Sequence, residues 1–218
     1  MTTNTTVATP PAAAAKLSSA AIITYQVLLL VVIFIRPELD PARKPISEYA
    51  IGRHGWVMVL AFLTAAAGYA CLFVAVRPAV GGVTGRIGLG VLGVCVAGTA
   101  GVGVFVADPV VTPLTGLTTF GALHVICGFS ALVLLPFAAL LINLDMARGD
   151  AAAASVLRWT AGLPLAGLVL HWALSLVIPP EGWPPRLLFL TYAAWLIVLT
   201  AHIRPVREAP AGTPVQGY

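Results

Sequence analysis

Charged residues are scarce in this chain. Only 9% of its 218 residues are Asp, Glu, Lys or Arg, whereas 59% are hydrophobic and the mean hydropathy is +0.97. A soluble domain carries roughly 25% charged residues, so the composition excludes an ordinary soluble enzyme or binding module. It predicts an integral membrane protein.

Several functional motifs are also missing. The net charge is +4, but the arginines are scattered at the ends of apolar segments, which excludes the clustered footprint of a nucleic-acid-binding protein. The three cysteines, Cys71, Cys95 and Cys127, lie inside apolar runs without CxxC spacing and are interpreted as packing residues. No HExxH motif occurs. The sequence therefore predicts no metal, no cofactor and no nucleic-acid partner.

Long apolar stretches dominate instead, and a membrane-spanning helix needs roughly 20 such residues. Six stretches approach this length: 17–35, 56–77, 87–107, 117–143, 156–178 and 186–203. They predict an all-α polytopic membrane protein, a bundle of six transmembrane helices over residues 17–204, with disordered tails at 1–16 and 205–218. A short interfacial helix is predicted after Pro45, between the first and second spans.

The Lys and Arg residues predict the orientation. Six spans put both termini on one side of the membrane, and that side holds seven Lys and Arg residues against five on the other. Cytoplasmic loops carry an excess of these residues. The sequence thus predicts a multi-pass protein of the plasma (inner) membrane with both termini in the cytoplasm.

Small residues recur at a spacing of four or eight along the third span, namely Gly81, Gly85, Gly93, Ala97 and Gly101. Such a strip allows close backbone contact between membrane helices. It predicts that the third span is central in the bundle, and it would equally serve a homo-oligomer.

Most polar residues lie in or beside the first, third and fifth connectors, which emerge on the same face of the six-span bundle. The candidate ligand-binding residues there are Ser47, Glu48, Tyr49, Asp108, His124, His171 and Arg186. An ionisable group inside a span is costly and is a functional candidate by default. His124 is such a group, and its spacing from Gly121 and Gly128 puts it on a face lined by small residues.

Each candidate also has a purely structural interpretation. Ser47 would cap the short helix, Glu48 would favour its first turn, and Tyr49 would anchor at the headgroups. Arg186 would either pair with Asp108 or Glu48 or lie at the interface beside Trp183. His171 shares a face of the fifth span with Pro164, which predicts a kink there, and would otherwise be a core histidine.

Four motifs together resemble a known family. They are PISEYAIGRHGWVM before the second span, ADPVVT after the third, GALH in the fourth and G-x-P-x-R before the sixth. The chain resembles the domain of unknown function nine-nine-eight over residues 17–204. The resemblance implies a six-helix fold and an inner-membrane location but no activity. It supports all the candidates above except His171, and adds Gly52.

Three functions compete at this point. The leading prediction is a pocket at the extracytoplasmic face for a lipid headgroup or small polar ligand, in which Arg186 and His124 hold anionic or hydroxyl groups while Glu48 and Asp108 accept from donors. The partner would be membrane lipid or a small molecule. The alternative is a metal-dependent hydrolase or lipid-modifying enzyme, with both histidines and Asp108 as ligands and Glu48 as base. The third is a proton-coupled transporter.

Overall fold

The described part of the chain is entirely helical. The computed structural model describes residues 10–179 and 181–203, and within these ranges it contains seven α-helices and no β-strand. The helices are α1 (Pro10–Ile35), α2 (Trp56–Val76), α3 (Val83–Val104), α4 (Thr119–Gly149), α5 (Ala154–Ala161), α6 (Leu163–Leu174) and α7 (Trp183–Ala201). Five of them, α1 to α4 and α7, are long and apolar enough to cross a membrane. The predicted all-α membrane class is confirmed.

The predicted fifth span, 156–178, is divided into two helices. α5 ends at Ala161 and α6 begins at Leu163, with Gly162 between them. Pro164 lacks the N–H that would donate to the carbonyl of Thr160, and glycine weakens a helix interior, so the chain breaks at this point. The kink predicted at Pro164 is thus confirmed as a break, and the apolar stretch 156–178 forms two short helices.

The first helix begins earlier than predicted. α1 starts at Pro10, so residues 10–16 are helical and the predicted 16-residue disordered tail was wrong over this part. Alanine has the highest helix propensity, and residues 12–15 are all alanine. Ala14 and Ala15 also pack against Ala75 of α2. The remainder of the predicted tails, residues 1–9 and 205–218, lies outside the described residues.

The helices close into a ring in chain order. α1 packs against α2, α2 against α3, and α3 against α4, which continues against α5 and α6. α7 closes the ring by packing against α6 and α1. Because α3 contacts mainly its two sequence neighbours, its predicted central position was wrong.

The small residues of α3 do not form one contact strip. Gly85 and Gly101 face side chains of α4, whereas a Cβ built on Gly93 meets nothing within 4 Å. A spacing of four residues exceeds the helical repeat of about 3.6, so the strip winds around the helix and faces different surroundings along its length. The homo-oligomer stays a prediction.

A buried amide fastens the helices beside the α5–α6 break. Asn143 of α4 is fully buried, and its Nδ2 donates to the carbonyl of Leu157 at 3.0 Å and to Oγ1 of Thr160 at 3.1 Å. Its Oδ1 accepts from Nε1 of Trp195 at 3.1 Å. These bonds join α4, α5 and α7.

Three connectors meet at one end of the ring, as predicted. Glu48 Oε1 accepts from the backbone N–H of Val110 at 3.0 Å, which joins connector 36–55 to connector 105–118. Arg186 Nη1 donates to the carbonyl of Lys44 at 3.1 Å, which joins the start of α7 to the same connector. We call this the pocket end.

Candidate functional site

A cavity of about 280 Å³ lies inside the ring near the pocket end. Its wall is mostly apolar and includes Phe62, Val102, Leu132, Leu135 and Phe189. The polar residues that line it are Tyr25, Ser47, Tyr69, Thr99, His124, His171, Glu181 and Tyr192. Every α-helix except α5 contributes to this lining, and so does the short 3-10 helix Ile46–Ala50.

Three of the seven predicted site residues line this cavity: Ser47, His124 and His171. Ser47 lies in the Ile46–Ala50 helix, but it is not the cap, because Pro45 occupies the N-cap position and no side chain caps this helix. The predicted capping role was therefore wrong. The Ser47 hydroxyl makes no hydrogen bond within the described residues and lines the cavity.

His124 is oriented by the end of α3. Its ring is buried in α4, and Nδ1 lies 2.6 Å from the carbonyl oxygen of Phe105. A carbonyl only accepts, so Nδ1 carries the proton in this contact. The ring also packs edge-on against Phe62, with ring centroids 6.2 Å apart. His124 is thus a fixed part of the cavity wall.

His171 differs from His124 in having an unsatisfied ring nitrogen. It is 9% exposed, and its Nδ1 is the one buried side-chain nitrogen or oxygen within the described residues that has no hydrogen-bond partner. Trp172 packs against its ring with centroids 5.2 Å apart. A buried polar atom without a partner costs free energy, roughly 1–3 kcal/mol. This nitrogen therefore lacks a partner among the described residues, in a side chain that lines the cavity.

The three tyrosines of the cavity are not equivalent. Tyr192 donates its hydroxyl hydrogen to the carbonyl of Leu132 at 2.6 Å. Tyr25 and Tyr69 are 3% and 5% exposed, yet neither hydroxyl makes a hydrogen bond within the described residues. Both phenols are free to donate to or accept from a ligand.

Glu48 and Tyr49 hold the connectors together and do not line the cavity. Glu48 Oε2 pairs with Lys44 Nζ at 2.9 Å, while its Oε1 accepts from Val110 as described above. Tyr49 is 1% exposed and donates to the carbonyl of Leu39 at 2.8 Å. Burial raises the pKa of the Tyr49 phenol, which keeps the proton that this hydrogen bond needs.

Asp108 caps the beginning of α4. Its carboxylate accepts from the backbone N–H of Thr118 at 2.7 Å and from the Thr118 hydroxyl at 3.0 Å. Thr118 in turn caps α4 by accepting from the backbone N–H of Gly121 at 3.0 Å. A negative charge at a helix N-terminus is favourable. A Cβ at position 121 would collide with the carboxylate, so glycine is needed here.

Arg186 also lies outside the cavity lining. Its guanidinium lies over the ring of Tyr49, 5.6 Å from the centroid, and Nη1 donates to the carbonyls of Gly182 at 2.7 Å and Lys44 at 3.1 Å. Within the described residues it pairs with neither Asp108 nor Glu48, the two partners proposed from the sequence.

The metal site of the alternative hydrolase hypothesis is not assembled in the described residues. Across residues 10–179 and 181–203, no three His, Cys, Asp or Glu side chains lie close enough together to hold a metal ion. His124 and His171 share the cavity, but Asp108 is bound to Thr118.

Comparison with known families decides the classification. Residues 19–202 match the family described as "Protein of unknown function (DUF998)". This chain belongs to the DUF998 family. No curated protein and no solved structure matches it. Because the DUF998 description assigns no activity, only the chemistry of the cavity points to one.

The sequence interpretation of this DUF998 protein missed five polar residues of the cavity: Tyr25, Tyr69, Thr99, Glu181 and Tyr192. The position of two tyrosines in the middle of predicted membrane spans could have identified them as candidates. Tyrosine in a membrane helix is expected at the interface, whereas Tyr25 and Tyr69 stand well inside long apolar stretches. Glu181 lies in the connector before the sixth predicted span, and nothing in its spacing indicates the cavity.

Proposed function

We propose that this protein binds a small amphiphile, a lipid headgroup region or a small molecule with both apolar and polar parts, in the cavity at the pocket end. The observation that carries the proposal is an apolar-walled cavity lined by polar side chains without protein partners among the described residues, above all the hydroxyls of Tyr25 and Tyr69. Binding sites for small molecules combine such walls with a few convergent polar groups.

The proposal includes a six-span arrangement in the plasma (inner) membrane. Residues 154–174 would extend about 30 Å at about 1.5 Å per residue, which matches the hydrocarbon thickness. α5 adjoins the end of α4 through Asn143, and α6 delivers His171 to the cavity at the pocket end. α5 and α6 together thus supply the fifth crossing, and the termini lie on the same side.

The pocket end is proposed to face away from the cytoplasm. The excess of Lys and Arg on the opposite side supports this orientation. Trp56 and Trp183, at the pocket-end starts of α2 and α7, are 64% and 47% exposed, as expected of aromatic residues at a membrane interface. The Ile46–Ala50 helix would then lie in that interface, as a cap over the cavity.

The polar groups of the cavity favour an amphiphile over an inorganic anion. Among the described residues no Lys or Arg lines it, because Arg186 donates to backbone carbonyls and Lys44 pairs with Glu48. The anion-holding role first assigned to Arg186 is therefore not part of this proposal. The hydroxyls and the imidazole nitrogen suit hydroxyl, carbonyl or amine groups.

Neither competing function gains an observation of its own. The hydrolase needs three metal ligands in one place, and the described residues do not offer them. Proton-coupled transport needs ionisable groups along the bundle, whereas Asp145, near the opposite end, is occupied by the backbone N–H groups of Gly81 and Gly82, both at 3.0 Å.

A plug variant tests the proposal. A Cβ at Gly128 meets only a Val102 methyl at 3.4 Å, so a leucine there would extend into the cavity without a backbone collision. Gly90→Leu is the matched control, because a Cβ at Gly90 meets nothing within 4 Å. Wild type and both variants are purified in nanodiscs from native membranes and analysed by mass spectrometry for molecules bound per chain.

The expected result is a molecule that is retained by the wild type and Gly90→Leu and lost from Gly128→Leu. The same complement of bound molecules in all three proteins would refute the proposal. Circular dichroism verifies that the two variants have equal helix content.

A further inference from the structure

The charge of the cavity narrows the class of ligand. Resting on the proposed function, we propose that the ligand carries an amine, so that an ammonium group joined to an apolar body binds at Glu181. Of the residues that the structure describes, Glu181 is the one acidic or basic residue in the lining, apart from the two histidines. Within the described residues, its carboxylate makes no hydrogen bond and no ion pair.

The backbone around Glu181 is held in place. Gly182 packs so closely against the backbone of Ala42 that a Cβ there would collide with it. The carbonyl of Gly182 also accepts from Arg186 at 2.7 Å. These contacts hold Gly182 in position. They therefore restrict the backbone next to Glu181 at the cavity.

The basic side chains of the pocket end do not neutralise Glu181. Lys44 pairs with Glu48 at 2.9 Å, and Arg36 pairs with Glu38. Arg186 lies over the Tyr49 ring, with Nη1 occupied by two carbonyls, and it is not among the residues that line the cavity. An anionic ligand would meet the Glu181 carboxylate with no lining cation to offset the repulsion.

The other lining groups complement an ammonium ion. Tyrosine and phenylalanine rings attract cations through their faces, and Tyr25, Phe62, Tyr69, Phe189 and Tyr192 all line the cavity. An ammonium group has donors only and therefore needs acceptors. The unpartnered hydroxyls of Tyr25 and Tyr69 can accept.

Three probes that share one eight-carbon chain test this inference: octylamine, octanol and octanoate. Their binding to the detergent-solubilised full chain is measured by calorimetry, for the wild type, Glu181→Gln and Glu38→Gln. Glu38 provides the matched control, because it lies at the same end, 59% exposed and outside the cavity lining.

We expect octylamine to bind the wild type most tightly and to lose about tenfold or more in affinity in Glu181→Gln, because a charge-assisted hydrogen bond is lost. Octanol should be unaffected by this change, and Glu38→Gln should match the wild type. Equal binding of octanol and octylamine, or an unchanged octylamine affinity in Glu181→Gln, would overturn the inference.

The outcomes separate this inference from the proposed function. If Gly128→Leu abolishes binding of whichever probe binds best, the cavity is a binding site even when that probe is not the amine. If no probe binds the wild type, the amine inference fails, and the molecules retained by the protein from native membranes decide the proposed function independently.

A further experiment tests whether the amine ligand is a lipid of the bilayer or a free molecule. Octylamine binding is compared in nanodiscs of phosphatidylcholine and of a phosphatidylcholine–phosphatidylethanolamine mixture, which have equal net charge but differ in N–H donors. Weaker binding in the mixture identifies the lipid amine as a competitor for Glu181. Equal binding assigns the cavity to a free amine.

Discussion

Tyr192 of α7 donates its hydroxyl hydrogen to the backbone carbonyl of Leu132 in α4, at 2.6 Å, across the ring of helices. Both residues line the cavity, so this bond belongs to its wall. Tyr69 reaches the same cavity from α2 without any hydrogen bond to the described protein. One phenol therefore stabilises the fold and the other is left to the ligand.

Phenylalanine substitutions should distinguish these two phenols. Tyr192→Phe should destabilise the protein by about 1 kcal/mol, because it removes a hydrogen bond and leaves a carbonyl unpaired. Tyr69→Phe should leave the stability of the ligand-free protein unchanged or slightly raised, because it removes a buried hydroxyl without a partner. The measurement is equilibrium unfolding in mixed micelles. Equal losses in the two variants would contradict this assignment.

Glycine substitutions should report which face of α3 packs. A Cβ at Gly88 would lie 2.9 Å from side-chain atoms of Leu141 and Ile142, whereas a Cβ at Gly93 meets nothing within 4 Å. Gly88→Ala should therefore lower the thermal midpoint by several degrees, by pushing α3 from α4. Gly93→Ala should be neutral or stabilising by up to about 1 kcal/mol, the helix propensity difference. Destabilisation by both would place Gly93 in a contact such as a homo-oligomer interface.

The fold was predictable wherever chain composition decides it. The apolar stretches predicted both ends of α2 and α3 within four residues and the start of α4 within two, whereas α4 ends six residues later than predicted. The packing partners of each helix were not predictable, since a span that is apolar all round lacks the polar face that marks the outside of a soluble helix. The central position assigned to α3 failed for this reason.

The candidate site was predictable only in part. His124 and His171 were found because an ionisable group in an apolar span stands out. Glu48, Asp108 and Arg186 were found as polar residues beside the spans, but each bonds to protein groups: Glu48 to the Val110 N–H, Asp108 to Thr118 and Arg186 to the Lys44 carbonyl. Sequence shows that a polar residue needs a partner and does not show whether that partner is protein or ligand.

Glu48 should control the order of the connector that caps the cavity. Glu48→Ala removes the bonds to the Val110 N–H and to Lys44, so the amide of Val110 should exchange with deuterium about tenfold faster or more. Glu38→Ala, an exposed carboxylate at the same end, should leave Val110 protected. Unchanged exchange at Val110 in Glu48→Ala would mean that other contacts hold this connector.

Asn143 should be the polar residue whose loss costs the most stability. Asn143→Ala removes three hydrogen bonds and leaves the Trp195 N–H unpaired. Hydrogen bonds between membrane helices average about 0.6 kcal/mol, so the variant should lose about 2 kcal/mol in unfolding free energy, with a further cost for the cavity. Gln26→Ala is the control, because Gln26 makes one such bond, to Phe189 at 3.1 Å. If both variants lose the same free energy, Asn143 does not fasten α5 to α4, and the break at Gly162 is stabilised by apolar packing instead.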